Sequence, residues 1–184
     1  MVRWVGEDMG GVENVSPPVY QGTPEAAFPP GAEWPTGRHP ASRHPRRISV
    51  KIEGQCHCGA VAYEAEVQPG SMTVCHCNDC QTHSGSAFRA NIPAPASGFR
   101  LTRGTPRTYV KTADSGARRL LAFCEHCGTP LYACAEENPT AYSLRIGAIR
   151  QRHALGAPKR QIWTRRRLAW VPSPDGVESF DGQP

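Results

Sequence analysis

Apolar and polar side chains alternate along several short segments of this chain, and the alternation has a period of two. Ile48, Val50 and Ile52 are separated by polar residues, and a second alternation runs over residues 61–67. Similar short runs follow at 86–92, 107–112, 118–123, 130–134 and 142–146. Because successive side chains of a strand point to opposite faces, this period predicts half-buried β-strands.

Turn residues separate the predicted strands, and helical patterning is sparse. The chain holds 18 glycines and 18 prolines among 184 residues, which disfavours a bundle of long helices. One short helical turn is predicted at residues 80–84, capped by Asn78 or Asp79. The pattern therefore predicts a mainly β domain over residues 47–184, built of small antiparallel sheets.

The first 46 residues carry no such pattern. Residues 1–47 hold eight prolines and six glycines, and their apolar residues are spread without a period. We predict residues 1–46 to be a disordered, dispensable extension, with a partner-binding tail as the less favoured interpretation. No signal-peptide core is visible and no window is apolar enough to span a bilayer, so the expected location is the cytoplasm, with no membrane partner.

Cysteine is the residue whose placement says most about the chemistry. The chain has eight cysteines, and seven stand in three tight groups: Cys56 and Cys58; Cys75, Cys77 and Cys80; Cys124 and Cys127. Two thiolates a few positions apart in a tight turn can both reach one zinc ion, about 2.3 Å from each sulfur. The grouping therefore favours metal binding over disulfides.

The first and third groups together supply four thiolates, which is a complete tetrahedral zinc site. Glycines flank both turns, where a tight backbone can need a positive φ angle. A site made of Cys56, Cys58, Cys124 and Cys127 would close a loop of more than sixty residues. Such a closed site is expected to be structural.

The middle group, Cys75, Cys77 and Cys80, offers three thiolates and leaves a fourth zinc position open, which is typical of catalytic zinc. The expected cofactor is thus zinc, with two ions per chain, the second acting as a Lewis acid or holding a nucleophile. Two alternatives stay open. Cys77 and Cys80 could instead join the third group in a ribbon-like site, and Cys134, which otherwise packs as a small apolar residue, could be a further ligand.

Histidines accompany the cysteines. His57 and His76 each stand between two cysteines, so their rings are expected to point away from a metal held by those neighbours. His83 follows Cys80 by about one helical turn and is the candidate catalytic acid or base. A surface position for His83 is the competing interpretation.

Three ordered motifs contain the seven grouped cysteines. They read Gly54-Gln55-Cys56-His57-Cys58-Gly59-Ala60-Val61-Ala62-Tyr63-Glu64, then Cys75-His76-Cys77-Asn78-Asp79-Cys80 followed by Gly85-Ser86-Ala87-Phe88, then Phe123-Cys124-Glu125-His126-Cys127-Gly128-Thr129-Pro130-Leu131-Tyr132. Together they resemble the glutathione-dependent formaldehyde-activating enzyme family, which also includes centromere protein V. The resemblance covers about residues 47–184.

The resemblance implies a β-tent-like fold with two zinc sites. In the family pattern the first and third motifs hold a structural zinc, and the middle three cysteines hold the zinc attributed to catalysis. The family reaction joins glutathione to formaldehyde as S-(hydroxymethyl)glutathione, and the family is described as carbon–sulfur lyases. The expected function is therefore a zinc-dependent carbon–sulfur lyase-like enzyme acting on a thiol–aldehyde adduct, and the expected partner is a small thiol such as glutathione.

Two positions depart from the family pattern. A basic residue often follows the third middle cysteine, where this chain has Gln81-Thr82-His83, and a histidine is common where Gln161 stands. Neither position is an expected zinc ligand. Both bear on what binds beside the open site.

The net charge of +5 comes from the C-terminal part of the chain, where residues 138–174 carry eight basic and no acidic side chains. Most of the eight are arginines, which suit carboxylates and phosphates. A solvated surface, capture of an anionic small molecule and a nucleic-acid contact are the three interpretations, in that order of preference. Trp163 and Trp170 are expected to pack in the core or on an edge strand.

The alternative function is a non-catalytic, zinc-stabilised module. It would bind an anionic partner, either a small molecule or a nucleic acid, through this arginine-rich region.

Overall fold

A computed structural model describes residues 49–184, and the extension predicted at residues 1–46 lies outside the described residues. The strands are β1 Val50–Gln55, β2 Ala62–Val67, β3 Thr73–Cys75, β4 Arg89–Pro95, β5 Phe99–Arg103, β6 Arg107–Thr112, β7 Arg118–Phe123, β8 Pro130–Ala135, β9 Ala141–Arg145, β10 Arg160–Ile162 and β11 Glu178–Phe180. The α-helix, α1, is Asn78–Ser84, and single 3₁₀ turns lie at Ala96–Gly98, Ile146–Ala148, Arg152–Ala154 and Thr164–Arg166. In this part of the chain no helix has the length and apolar character needed to cross a membrane.

The strands form two sheets. β1, β2 and β5 make a three-stranded antiparallel sheet in the order β1-β2-β5. The second sheet has eight strands in the order β11-β10-β3-β4-β9-β8-β7-β6. Its neighbours are antiparallel except around β10, which runs parallel to both β3 and β11. The predicted mainly β class is confirmed, with one small and one larger sheet.

The core contains one face of the large sheet and the inward side chains of the small sheet. Ile52 and Tyr63 of the small sheet share one buried cluster with Ile92 of β4 and Leu144 of β9. Burial of each such side chain contributes about 1.5–3 kcal/mol. Because side chains alternate along a strand, every second residue of β4 and β9 points to the opposite face of the large sheet. That opposite face borders a cavity.

Most of the predicted elements are present, and several details differ. β6 and β7 coincide with the segments 107–112 and 118–123 predicted from alternation. The helix begins at Asn78, and its N-cap residue is Cys77, which makes no side-chain capping bond, so the predicted caps are wrong. Trp170 is 74% exposed, so its expected packing is also wrong.

Gly104, in the turn after β5, lies against the first cysteine turn. Its φ angle is +63°, and a Cβ placed on it would lie 2.2 Å from the backbone oxygen of Ala60. We expect Gly104→Ala to lower the free energy of unfolding by about 2–5 kcal/mol. Left-handed strain accounts for ~1–2 kcal/mol, and overpacking against a backbone atom adds ~1–3 kcal/mol. Urea denaturation of the zinc-loaded protein measures the loss.

Gly116 provides the matched control for this substitution. Its φ angle is +82°, and a Cβ placed on it would meet nothing within 4 Å. Gly116→Ala should therefore show only the left-handed strain, about 1–2 kcal/mol. Equal losses in the two variants would contradict the close approach to Ala60.

Candidate metal centres

The first thiol group joins two turns that lie far apart in the sequence. The sulfur atoms of Cys56, Cys58, Cys124 and Cys127 all lie within 4.8 Å of one another. The Sγ atoms of Cys56 and Cys58 are 3.5 Å apart, and those of Cys58 and Cys124 are 3.7 Å apart. The structure thus brings together the four residues predicted for the structural site.

The two turns have similar backbone hydrogen bonds. Cys56 N donates to the oxygen of Val61, and the backbone oxygen of Cys56 accepts from Gly59 N, at 3.0 Å each. Cys124 N donates to the oxygen of Thr129 at 3.0 Å, and its oxygen accepts from Gly128 N at 2.8 Å. Both glycines have the positive φ angles expected from the sequence, +75° and +69°. Each turn therefore presents its two sulfurs on one side.

The donor set fits a zinc ion. Four sulfurs at about 2.3 Å from a tetrahedral ion lie about 3.8 Å from one another, close to the separations seen here. Thiolates are the soft ligands that zinc favours. In addition, Val61 N donates a hydrogen bond to Cys56 Sγ at 3.2 Å.

The second thiol group is built where β3 passes into α1. Cys75 ends β3, Cys77 is the N-cap of α1, and Cys80 lies in its first turn. Their three sulfurs lie within 4.8 Å of one another, with Cys75 and Cys77 3.4 Å apart. Neither the ribbon-like alternative nor Cys134 is part of the groups formed by the described residues.

The charge state of this group calls for a cation. The hydrogen bonds with Cys77 and Cys80, together with burial, raise the pKa of Cys75. The same sulfur contacts lower the pKa of Cys77, so the cluster shares protons rather than ionising fully. A divalent ion would remove this conflict, because it favours the thiolate form of every ligand. The three thiols therefore also fit zinc.

A cavity of about 550 Å³ lies beside the second thiol group, and all three of its cysteines contribute to the wall. The same wall contains six basic side chains and two acidic ones: Arg89, Lys111, Arg119, Arg145, Arg160 and Arg166 against Asp79 and Asp114. Lys111 forms an ion pair with Asp79, and Arg166 Nη2 lies 3.9 Å from Asp114 Oδ2. The cavity therefore has a positive electrostatic potential, which attracts anions.

Two of these arginines, Arg89 and Arg145, are buried in the wall, each only 7% exposed. Burial and the nearby charge of Arg89 lower the pKa of Arg145 to about 9, which leaves its guanidinium charged at neutral pH. The sequence interpretation of the arginine-rich region as a solvated surface is wrong for Arg145. The sequence shows only that Arg89 and Asn91 lie on one side of β4, which is also the pattern of a solvent-facing side.

The histidines take different positions. His57 is exposed, whereas His76 is 1% exposed and its Nε2 lies 3.2 Å from Gln161 Oε1. Gln161 Nε2 in turn donates to the hydroxyls of Ser173 and Ser179, at 2.8 Å each. These hydrogen bonds connect the turn between Cys75 and Cys77 to β10 and to residues 173–179. His76 thus supports the second thiol group without belonging to it.

His83, the candidate acid or base, lies on α1 with its ring centre 5.6 Å from that of Tyr109. Burial and the charge of Arg89 lower its pKa. His83 is not among the described residues that line the cavity. Its catalytic role stays a prediction.

Cys134 lies in the core with Tyr132 and is 4% exposed. Burial raises its pKa, which favours the neutral thiol. Both observations agree with a packing role.

The sequence that contains the two thiol groups matches a known protein family. A family model described as glutathione-dependent formaldehyde-activating enzyme matches residues 51–166. The chain belongs to this family. The matched residues of this chain include all seven grouped cysteines and the buried Arg89 and Arg145.

One curated protein and one solved structure are similar to this chain. A Schizosaccharomyces pombe protein named as an uncharacterized lyase is 28% identical over 85 residues, which cover 45% of this chain and 56% of that protein. The match thus spans about half the length of the relative. A crystal structure of a Rhodobacter sphaeroides protein aligns with a TM-score of 0.43 and 22% identity, covering 70% of this chain and 98% of the other.

Proposed function

We propose that this protein is a zinc-dependent enzyme that forms or breaks the carbon–sulfur bond of a thiol–aldehyde adduct. In the forming direction the thiol sulfur bonds to the aldehyde carbon, and the aldehyde oxygen receives the thiol proton. One observation carries the proposal: three thiols that fit zinc open into a cavity whose wall is rich in positive charge. Membership of the family and the lyase name of one relative support it.

Each thiol group has its own part in this proposal. Cys56, Cys58, Cys124 and Cys127 would hold a structural zinc, whereas Cys75, Cys77 and Cys80 would hold a second zinc with a free coordination position. Zinc in the second group would supply Lewis-acid chemistry toward a substrate sulfur or carbonyl oxygen. We propose two zinc ions per chain on this basis.

The cavity wall would bind and concentrate the substrate. Six basic side chains raise the local concentration of an anionic thiol such as glutathione. Lys111 and Arg119 line the cavity from β6 and β7, whereas Arg89 and Arg145 line it from β4 and β9, so several strands contribute the positive charge. His83 remains the proposed proton carrier. The domain limits at residues 47–184 and the cytoplasmic location also stay predictions.

X-ray absorption at the zinc edge tests the coordination part of the proposal. Full-length protein loaded with two zinc ions should show an average below four sulfur ligands per zinc, together with a lighter oxygen ligand. Four sulfurs around every zinc would instead favour the non-catalytic module, in which both ions are structural.

Exchange NMR tests the reaction itself. The zinc-loaded protein should accelerate the interconversion of glutathione, an aldehyde and their hemithioacetal beyond the rate in buffer. The reaction class is wrong if no acceleration occurs with any of a panel of small thiols and aldehydes while the protein carries both zinc ions.

A further inference from the structure

Arg89 and Arg145 stand out among the cavity residues because their charges have no carboxylate partner. Neither takes part in any of the six ion pairs formed within residues 49–184. Three of their nitrogen atoms, Nε and Nη2 of Arg89 and Nε of Arg145, are buried and have no hydrogen-bond partner among the residues that the structure describes. Arg145 Nη1 donates to Asn91 Oδ1, which is neutral.

The strand register places these side chains directly beside the second thiol group. Arg89 on β4 is the cross-strand partner of Cys75 on β3, and Asn91 is the cross-strand partner of Arg145 on β9. Side chains of directly opposed residues in an antiparallel pair have Cβ atoms about 4.5–5.5 Å apart. Cys75, Arg89, Asn91 and Arg145 therefore form a continuous patch on the cavity face of the large sheet.

Such an arrangement is unfavourable when nothing binds to it. Burying a charge without a counter-ion has a large desolvation cost, and two like charges in the same wall add repulsion. Unpaired buried polar atoms are rare in folded proteins, and each one calls for an explanation. A ligand that brings negative charge into this patch would explain the unpaired buried atoms.

The neighbouring charges do not balance the two arginines. Lys111 and Asp79 form an ion pair and cancel each other. Three thiolates with one divalent ion would carry a single net negative charge, so at least one positive charge of the Arg89 and Arg145 pair would be left without a counterpart. Arg119 and Arg160 add further positive charge to the wall, so the site can accept at least one singly charged anion.

We propose that Arg89, Arg145 and Asn91 form a carboxylate-binding subsite beside the second thiol group, and that it holds a carboxylate of the substrate adduct. A planar guanidinium presents paired N–H donors that match the two oxygens of a carboxylate. The inference rests on the proposed function and defines the substrate class of the same site: an adduct with a carboxylate close to its reacting carbon or sulfur.

The short distance from Arg89 to Cys75 limits where the carboxylate lies in the substrate. In glutathione both carboxylates are separated from the sulfur by several covalent bonds. In an aldehyde such as glyoxylate the carboxylate is attached to the reacting carbon itself. The carbonyl component and the thiol component are thus two possible sources of one carboxylate, and the experiment distinguishes them.

Two pairs of small probes differ only in the charged group. Thioglycolate and 2-mercaptoethanol are thiols that carry a carboxylate or a hydroxymethyl group, and glyoxylate and glycolaldehyde are aldehydes with the same difference. Isothermal titration of the zinc-loaded protein with the two thiols measures binding, and exchange NMR with all four combinations measures turnover. We expect the protein to favour at least one carboxylate probe over its hydroxymethyl counterpart by about 10- to 100-fold, the value of one or two charged hydrogen bonds.

Arg89→Gln should reduce this preference to near one, whereas Arg89→Lys should retain part of it because the charge remains. Arg160→Gln is the matched control: Arg160 also lines the cavity, but it is exposed, and its Nε donates to Thr73 Oγ1 at 3.2 Å. The control should keep most of the preference, since exposed charges are screened. Loss confined to thioglycolate assigns the carboxylate to the thiol, and loss confined to glyoxylate assigns it to the carbonyl component.

The subsite proposal is wrong if the wild-type protein does not prefer either carboxylate probe, or if Arg89→Gln weakens charged and uncharged probes equally. The wild-type measurement keeps the test valid even if Arg89→Gln does not fold. Selective binding of thioglycolate without any accelerated exchange would overturn the proposed reaction and leave the subsite standing. Accelerated exchange without carboxylate preference would overturn the subsite and leave the proposed reaction standing.

Discussion

Cys124→Ser is expected to unfold the domain. Cys124 is fully buried, belongs to the core cluster, and lies with its sulfur 3.7 Å from that of Cys58. A serine hydroxyl does not ionise at neutral pH, so the variant would lose one of the four proposed zinc ligands and leave a polar group in the core. Structural zinc contributes about 10–16 kcal/mol in zinc-finger peptides, which is comparable to the whole stability of a domain, about 5–15 kcal/mol. Loss of the far-ultraviolet β-sheet signal and of bound zinc measures the effect.

Cys134→Ala provides the control for thiol loss in the core. Cys134 is also buried on a strand of the large sheet, but it lies outside both thiol groups. This variant should stay folded and keep both zinc ions, with a loss of about 0.5–3 kcal/mol. A folded Cys124→Ser protein with a native melting temperature would show that the first thiol group is not the structural clip.

Cys77→Ser is expected to abolish turnover while the domain stays folded. Cys77 precedes a short helix that buries no residue fully, and β3 is held by its pairing with β4 and β10. The zinc content should fall from two ions per chain to one. Removal of Lewis-acid assistance worth several kcal/mol corresponds to a rate loss of about a thousandfold. Zinc analysis, circular dichroism and exchange NMR on the same sample separate the three effects.

The difference between Cys77→Ser and Cys124→Ser is the decisive observation, because it distinguishes a catalytic ion from a structural one. If Cys77→Ser keeps full exchange activity, the second thiol group has no part in the reaction. If Cys77→Ser unfolds like Cys124→Ser, both ions are structural and the non-catalytic module is favoured. Cys134→Ala again serves as the control, with activity unchanged.

The parts of the fold that depend on local pattern could be predicted from the sequence. β6 and β7 are short runs bounded by turn residues and are joined by the turn containing Ser115 and Gly116, so their pairing needs no distant partner. Cysteines that share a turn in the sequence also share a cluster in space, since ligand spacing within a tight turn is fixed by local backbone geometry. The joining of the first and third groups followed instead from the four thiolates that a closed zinc site needs.

The parts that depend on distant pairing could not be predicted. β10 has three residues, two of them polar, and becomes a strand only because β3 and β11 lie on either side of it. Arg89 and Arg145 were missed for a related reason. An arginine that alternates with apolar residues indicates a solvent-facing side, and only the arrangement of the eight strands reveals that this side faces a cavity.

The wrong prediction for Trp170 has the same origin. An aromatic residue near Leu168 and Val171 suggests packing, yet only Val171 is buried and Trp170 stays exposed. Local hydrophobicity indicates which residues can pack, whereas the position of the segment relative to the sheet determines which of them do.

The place of β10 in the large sheet also has a consequence for the order of folding. The four cysteines of the first thiol group all lie between residues 56 and 127, whereas β10, which supplies Arg160 and Ile162 to the cavity wall, comes more than thirty residues later. Synthesis delivers the chain from its N-terminal end. All four cysteines of the first thiol group are therefore made before β10, and the wall of the cavity beside the second group is complete only in the last stage of synthesis.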